Sequence, residues 1–238
     1  MNKSGNVTVV VGGAGGIGSE ISDVLRHRGD GVLVVGRSST SEIQIASDLN
    51  TEVGRNYLVE EIGCREVDNL IFAHRYRGED AKKDFDVTVN AVVDVIKKFE
   101  PIFSQDAAIV VLSSIAARQI LDEQSCMYHA SRAALESMTR FLAVKMGPDG
   151  VRVNCILPTT LIKRTNEEFF REGNPVHDLI ANVTPLKRMG HAKDIANLVE
   201  FLCSARSSFI TGQSFVVDGG LSLVNQEAIA RRLTNLEH

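Results

Sequence analysis

The run Val11-Gly12-Gly13-Ala14-Gly15-Gly16-Ile17-Gly18 joins a string of β-branched residues to an amphipathic stretch that begins at Ile17. Glycine in that place lets the chain turn sharply and lets a pyrophosphate approach bare backbone N–H groups. A helix opening at Ile17 adds unpaired donors and a partial positive charge at the same point. A second constellation is Tyr128 and Arg132, four residues apart and therefore on one face of a helix. A phenol can serve as an acid or base, but its free pKa near ~10 is high for work near neutrality. A fixed cation about 5 Å away, at an effective dielectric near 20, favours the phenolate by roughly 3 kcal/mol. Arginine supplies that field, but it does not readily give up a proton and so cannot join a proton relay as an ammonium can. The third signal is Val34-Val35-Gly36-Arg37-Ser38-Ser39, which ends a second apolar run. A carboxylate at this point accepts hydrogen bonds from the adenosine ribose diol of NAD, whereas Arg37 with Ser38 welcomes a 2′-phosphate. The residues therefore favour NADP(H) over NAD(H).

These groups need elements to hold them. Val7–Val11, 32–35, 69–73, 108–113, 151–156 and 214–218 read as strands, with 43–47 as a shorter candidate. Their continuous apolar runs suit strands buried on both faces of a parallel sheet. Helices are expected over 17–28, 51–62, 84–99, 125–146 and 192–204, with Gly29 and the Gly147-Pro148 pair as stops. Repeated β-α-β order implies one α/β domain, residues 1–235, built as a doubly wound parallel sheet of the Rossmann kind. The segment from Thr159 to Arg188 has no clean period. It follows a strand's C-terminal end, where open α/β sheets place their ligand crevice, and Phe169 and Phe170 need something to cover. It reads as a substrate lid, residues 159–188.

Composition narrows the function. The 238 residues are 44% hydrophobic and 24% charged, with a formal net charge of -4, which offers no footprint for nucleic acid or an anionic membrane. Cys64, Cys126, Cys155 and Cys203 are far apart and form no C-x-x-C pair, so reduced thiols are expected and a disulfide or metal site is not. No apolar run reaches membrane-spanning length, and the first strand follows the N-terminus without a signal peptide, so a cytoplasmic address is expected. Residues 236–238, Leu-Glu-His, look like the start of a vector-encoded histidine tag and are set aside.

From Val7 to Leu221 the chain resembles the short-chain dehydrogenase/reductase family. Gly12, Gly16 and Gly18 match the family's T-G-x-x-x-G-x-G, with Val11 in place of the threonine; Gly15 and Ile17 lie within that motif. Asp48, followed by Leu49, resembles the aspartate that contacts adenine. Asn90 matches the helical asparagine of the active site. Ser114 matches the catalytic serine, with Ser113 as the alternative alignment. Tyr128-His129-Ala130-Ser131-Arg132 is similar to Y-x-A-S-K except at its end. The run Val151 to Pro158 matches the strand and proline before the substrate lid, and Pro185 to Arg188, Thr211 to Gln213 and Asp218 to Gly220 match the C-terminal signatures.

The departures are specific. Phe72-Ala73-His74-Arg75 replaces the family's N-N-A-G, which lies beside the cofactor, so the packing of Ala73 and His74 there must differ. The interval from Arg37 to Asp68 has room for a strand and one helix, so one crossover helix is expected to be missing. Thr159 replaces the glycine after Pro158, and Arg132 stands where the catalytic lysine belongs. The resemblance implies a nicotinamide-dependent oxidoreductase that interconverts a carbonyl and a hydroxyl on a small molecule. Tyr128 is then the acid/base, Ser114 the holder of the substrate oxygen, Arg132 the cation and Asn90 the holder of a water. The alternative is a dinucleotide-binding homologue, impaired by Arg132, that serves as a sensor or assembly subunit. A homodimer or homotetramer is expected through the helices at 84–99 and 125–146 and the strand near Phe215. His74 and His129, and the cations Arg75, Arg77, Arg118, Lys163, Arg164, Arg171 and Arg188, are weaker site candidates, more often structural or solvated.

Overall fold

Strand β1 (Val7–Val11) reads Val-Thr-Val-Val-Val, and its last four residues are buried. β-Branched side chains favour the extended backbone, and their apolarity suits burial on both faces. The computed structural model describes residues 5–38, 41–76, 78 and 80–234. The expected tag at 236–238, Ser39 and Arg77 lie outside the described residues.

Around β1 stand β2 (Gly31–Gly36), β3 (Ile45–Ala46), β4 (Val67–Phe72), β5 (Phe103–Leu112), β6 (Arg152–Pro158) and β9 (Ser214–Val217), in the order β3-β2-β1-β4-β5-β6-β9. Every pairing is parallel. A second sheet joins β7 (Leu161–Ile162) to β8 (Gly190–His191). Side chains alternate across the main sheet and divide the core in two. On one face Val9 and Val11 pack with Leu58 and Ile62 of α2 (Glu52–Ile62), Val95 and Phe99 of α4 (Ala91–Phe99) and Leu135 and Met146 of α5 (Cys126–Met146). On the other, Val10 packs with Ile21 and Leu25 of α1 (Gly16–Arg28) and Ile195 and Val199 of α7 (Ala192–Leu202).

The chain runs outward from β1 to β2 and β3, then returns to place β4 on the other side of β1. The crevice opens at that reversal, at the carboxyl ends of the strands. Register brings the site together: Val11 is level with Val35 and with Phe72, Phe72 with Val111, and Leu112 with Ile156. The residues that follow each strand therefore line one rim.

Between β2 and β3 no helix occurs among the described residues, as the short interval required. Gln44 closes the loop instead: its N–H donates to the Val34 carbonyl at 3.0 Å, and its side-chain oxygen accepts from the Val34 N–H at 2.8 Å. The helix expected over 84–99 is divided and begins earlier. Asp80 caps α3 (Ala81–Phe85) by accepting from the N–H groups of Lys82 and Lys83; a π-turn over Asp86–Asn90 follows, and α4 resumes beyond it. The segment at 159–188 is more ordered than its lack of period suggested. It contains β7 and α6 (Pro175–Val183), with Asn174 as N-cap and Pro175 in the first turn. Phe169 is exposed and meets Phe170 edge to face at 4.8 Å, so the two rings partly cover each other. A C-terminal helix, α8 (Gln226–Thr234), was not foreseen.

Candidate dinucleotide and active site

Two glycines of the first loop are held by close approach. A Cβ on Gly12, whose φ is 80°, would stand 2.7 Å from the His74 backbone, and a Cβ on Gly18 would stand 2.1 Å from the Gly12 carbonyl oxygen. Gly15 and Gly16 differ. A Cβ on Gly15 meets nothing within 4 Å, and one on Gly16 meets only the Lys163 side chain at 3.8 Å. Helix α1 starts there with no side-chain cap and no acidic residue in its first turn. Ile17 packs into the core below. Bare helix-terminal N–H groups facing open space fit a dinucleotide pyrophosphate.

At the end of β2, Arg37 and Ser38 are exposed. A Cβ on Gly36 would lie 2.5 Å from the Ile43 side chain, so Ile43 fills the place an acidic residue would need. Asp48 is exposed and its Oδ1 accepts from the Asn50 N–H at 3.1 Å, leading into the Thr51 cap of α2. Leu49 is a core residue, 5% exposed, so its side chain serves packing.

Ala73 continues β4, its N–H donating to the Val11 carbonyl at 2.8 Å. His74 is half-buried, with Nε2 3.0 Å from the Val87 carbonyl; that nitrogen must therefore carry the proton. Nδ1 is enclosed and has no partner. Burial pushes the imidazole down to about 4, against the Val87 hydrogen bond, and the Arg132 charge acts in the same direction as burial.

The two serines after β5 are distinguished. Ser113 is buried and its hydroxyl donates to the Arg132 carbonyl at 2.8 Å, tying β5 to α5. Ser114 is half-buried at the strand end and caps the single turn Ile115–Ala117, accepting from the Ala116 N–H at 3.2 Å. The placement at the rim falls to Ser114. Ser125 caps α5 by accepting from the Tyr128 N–H at 3.1 Å, which sets Tyr128 in the helix's first turn. One turn on, Arg132 is 2% exposed, and its Cζ lies 4.6 Å from the Tyr128 ring centroid. Its Nε and Nη2 have no hydrogen-bond partner. Burial pulls the guanidinium below its usual range, opposed by the Tyr128 hydroxyl and the Asp84 carboxylate. Pro158 ends β6 in a buried position.

Asn90 ends the π-turn that precedes α4. It is exposed, and its Nδ2 donates to Asp86 at 2.7 Å. Asp84 and Thr88 are buried polar residues of that region which sequence reading passed over. His129 is structural: Nε2 accepts from the Leu121 N–H at 2.9 Å and Nδ1 faces the Ser125 carbonyl at 2.8 Å. Four of the candidate cations are paired with carboxylates away from Tyr128. Arg118 pairs with Glu136, Arg164 with Asp23, Arg171 with Glu168 and Arg188 with Asp194. Arg75 is the candidate cation, among the described residues, whose charge acts on Arg132. A cavity of about 190 Å³ lies under residues 159–188, lined by Thr159, Leu161, Ile180, Met189 and Val217; neither Tyr128 nor Ser114 lines it. No helix among the described residues is long and apolar enough to cross a membrane.

Comparison with known proteins places this geometry. The profile of the family described as Enoyl-(Acyl carrier protein) reductase matches residues 56–222. Oxidoreductase UcpA of Salmonella typhimurium is 31% identical over 186 residues, covering 75% of this chain and 70% of that protein. The short-chain type dehydrogenase/reductase y4vI of Sinorhizobium fredii is 30% identical over 251 residues, covering 94% of this chain and 45% of that protein. Aldohexose dehydrogenase of Thermoplasma acidophilum shares the fold with a TM-score of 0.81 at 23% identity, over 93% of this chain and 96% of that one. The match spans most of the chain and agrees with the strand order and the glycine turn: the chain belongs to the short-chain dehydrogenase/reductase family of NAD(P)-dependent oxidoreductases.

Proposed function

We propose that this protein is an NADP(H)-dependent oxidoreductase that interconverts a carbonyl and a hydroxyl on a small-molecule substrate, with Tyr128 as the acid/base. The observation that carries the reading is the stacking of a buried Arg132 guanidinium on Tyr128, with two enclosed donors awaiting acceptors. A bound nicotinamide supplies or receives the hydride. In the reducing direction the Tyr128 hydroxyl gives its proton to the substrate oxygen; in the oxidising direction the phenolate takes the hydroxyl proton. Ser114, at the end of β5, holds that oxygen. Arg132 stabilises the phenolate and offers Nε and Nη2 to the hydroxyls of the cofactor's ribose. Asn90 spends its Nδ2 on Asp86, which leaves Oδ1 to hold a water. Gly12, Gly15, Gly16, Ile17 and Gly18 present the pyrophosphate cradle, Arg37 and Ser38 the 2′-phosphate end. Asp48 and the Leu49 backbone take the adenine, and Ala73, His74 and Pro158 take the nicotinamide side.

Residues 159–188 act as the lid, bolted to α1 by Arg164, which lies 2.7 Å from Asp23 and 3.6 Å from Glu20. The four free thiols, two of them buried, suit a reducing cytoplasmic setting. The test is single-turnover hydride transfer, followed at the nicotinamide absorbance, over a panel of carbonyl and alcohol substrates. Tyr128→Phe is expected to lose at least ~100-fold. A true substrate on which Tyr128→Phe reacts as fast as the parent sinks the mechanism.

A second reading, a dinucleotide-binding homologue without turnover, is favoured by one observation: the arginine fork is bulkier than an ammonium and lies enclosed where ribose hydroxyls should sit. Tight dinucleotide binding with no turnover across the panel supports it.

A further inference from the structure

Arg132 is a cation with almost no access to solvent, and such a charge is retained in a fold only where an anion or a full set of acceptors holds it. Asp84 is the carboxylate that reaches it. Asp84 is 7% exposed, and its Oδ1 lies 3.9 Å from Arg132 Nη2. Thr88 donates to Oδ1 at 3.0 Å, and the Ser131 hydroxyl, which donates to the Tyr128 carbonyl at 2.8 Å, lies 3.4 Å from Oδ2. Thr88 belongs to the π-turn and Ser131 to α5, so the carboxylate ties three elements at one point. π-Turns inside helices recur at functional sites. The separation of 3.9 Å is an ion pair without a hydrogen bond. Asp84 therefore neutralises the guanidinium while leaving its Nη2 and Nε donors unspent.

We propose that Asp84 is a positioning residue for the reaction: it holds the Arg132 guanidinium over the Tyr128 ring, with Nε and Nη2 left to meet a dinucleotide when one binds. The inference rests on the assignment of Tyr128 as acid/base. The charges that face Arg132 are few. From α5 itself there is Tyr128; from α3 there is Asp84; after β4 there are Arg75 and the neutral imidazole of His74. Glu136, one turn further along α5, is spent on Arg118. Tyr128 has His129 beside it, ring centroids 6.0 Å apart, with both imidazole nitrogens engaged. Among the described residues no other carboxylate pairs with the guanidinium, so the loss of Asp84 releases it from the ring toward water or another acceptor.

The test is Asp84→Asn, read by the pH dependence of single-turnover hydride transfer and by dinucleotide affinity. Two roles for the carboxylate move the profile in opposite directions. As a bare negative charge Asp84 opposes the phenolate, so its removal would move the profile to lower pH. As the residue that positions Arg132 it supports the phenolate, so its removal moves the profile to higher pH. We expect a rise of about one pH unit and roughly tenfold weaker dinucleotide binding, a tenfold change being one pH unit's equivalent. Asp84→Glu should recover most of both. In an Arg132→Gln background Asp84→Asn should add nothing to either readout, because its effect runs through the arginine. Thr88→Val, which frees one carboxylate oxygen, should move both readouts in the same direction by less, and it serves if Asp84→Asn does not fold. A profile that stays in place or moves down while Arg132 is present overturns the proposal. Full activity of Tyr128→Phe instead overturns the assignment on which it rests, and the two failures are read in different variants.

Discussion

Arg132 and Tyr128 stand one turn apart on α5, with the guanidinium carbon 4.6 Å from the ring centroid. Contact with the ring face contributes about 0.5–2 kcal/mol when desolvated. Nε and Nη2 remain enclosed without acceptors. Each such donor costs roughly 1–3 kcal/mol while it stays unpaired. A ligand that supplies acceptors to Nε and Nη2 would recover that cost.

Catalysis is expected to follow charge more than proton relay. An arginine keeps the field at Tyr128 but cannot pass a proton. Arg132→Lys is therefore tolerated or raises the rate, while Arg132→Met removes most of it. Stopped-flow measurement of hydride transfer under saturating dinucleotide decides this; equal rates for the methionine variant and the parent contradict it.

Much of the fold was legible because β-branched runs and glycine stops have local causes. β1 matches its expected bounds, and the main strands and the helices at α1, α2, α5 and α7 fall within a few residues of theirs. The short interval after Arg37 announced the missing crossover. What escaped was set by tertiary contact. The π-turn at Asp86–Asn90 has no compositional mark, and it divides a segment whose apolar period runs on through it. Asp84 of α3 is enclosed by packing with α5 and bears no local mark of burial in the sequence.

Arg118 and Glu136 form a clamp between the loop after Ser114 and α5. Arg118 Nη2 donates to Glu136 Oε1 at 2.6 Å, with Nε at 3.2 Å from the same oxygen. Glu136 is nearly buried, and removing Arg118 leaves its carboxylate enclosed and unpaired. Arg118→Ala should lower stability by roughly 1–3 kcal/mol. Glu136→Gln, which removes the charge with the shape kept, should lower it less. Urea denaturation measures both, and equal midpoints for Arg118→Ala and wild type refute the clamp.

His74 gives stability a pH dependence. Its imidazole is neutral in the fold down to about 4, while the unfolded chain's histidine takes a proton near the usual 6.5. Below 6.5 the unfolded state binds a proton that the folded state refuses, so stability falls as pH drops from about 6.5 to 4 and this contribution then levels off. The full loss is at most about 3 kcal/mol. His74→Phe should flatten that part of the profile. The difference in unfolding free energy between wild type and variant, taken at pH 7 and pH 4.5, must shrink or change sign; a constant difference rules out the enclosed neutral imidazole.

Assembly is expected through α5. Phe141 and Val144 lie on it 62% and 77% exposed, a large apolar surface for a helix otherwise packed on the core. A second copy of the chain placed against this face forms the symmetric homodimer or homotetramer expected of the family. Light scattering at micromolar concentration should show an oligomer for wild type and a monomer for Phe141→Glu/Val144→Glu. A wild-type monomer contradicts the expectation.

The cofactor preference turns on the end of β2. Arg37 and Ser38 are exposed there, with no acidic side chain at position 36 to accept from a ribose diol. Ile43 occupies the space beside Gly36, so even Gly36→Asp would have to displace it to reach that diol. A guanidinium binds a 2′-phosphate through paired, charge-assisted hydrogen bonds, each stronger than a neutral one. Arg37→Ala should therefore weaken NADPH binding by about 10- to 100-fold, on the order of 1.4–2.8 kcal/mol, and leave NADH within about threefold. Rising salt should narrow the preference, because an exposed ion pair is screened within about 10 Å at 0.1 M. Fluorescence titration with both dinucleotides provides the measurement. Tighter binding of NADH by wild type, unchanged in Arg37→Ala, overturns the assignment of Arg37 and returns the choice of cofactor to the backbone of the loop.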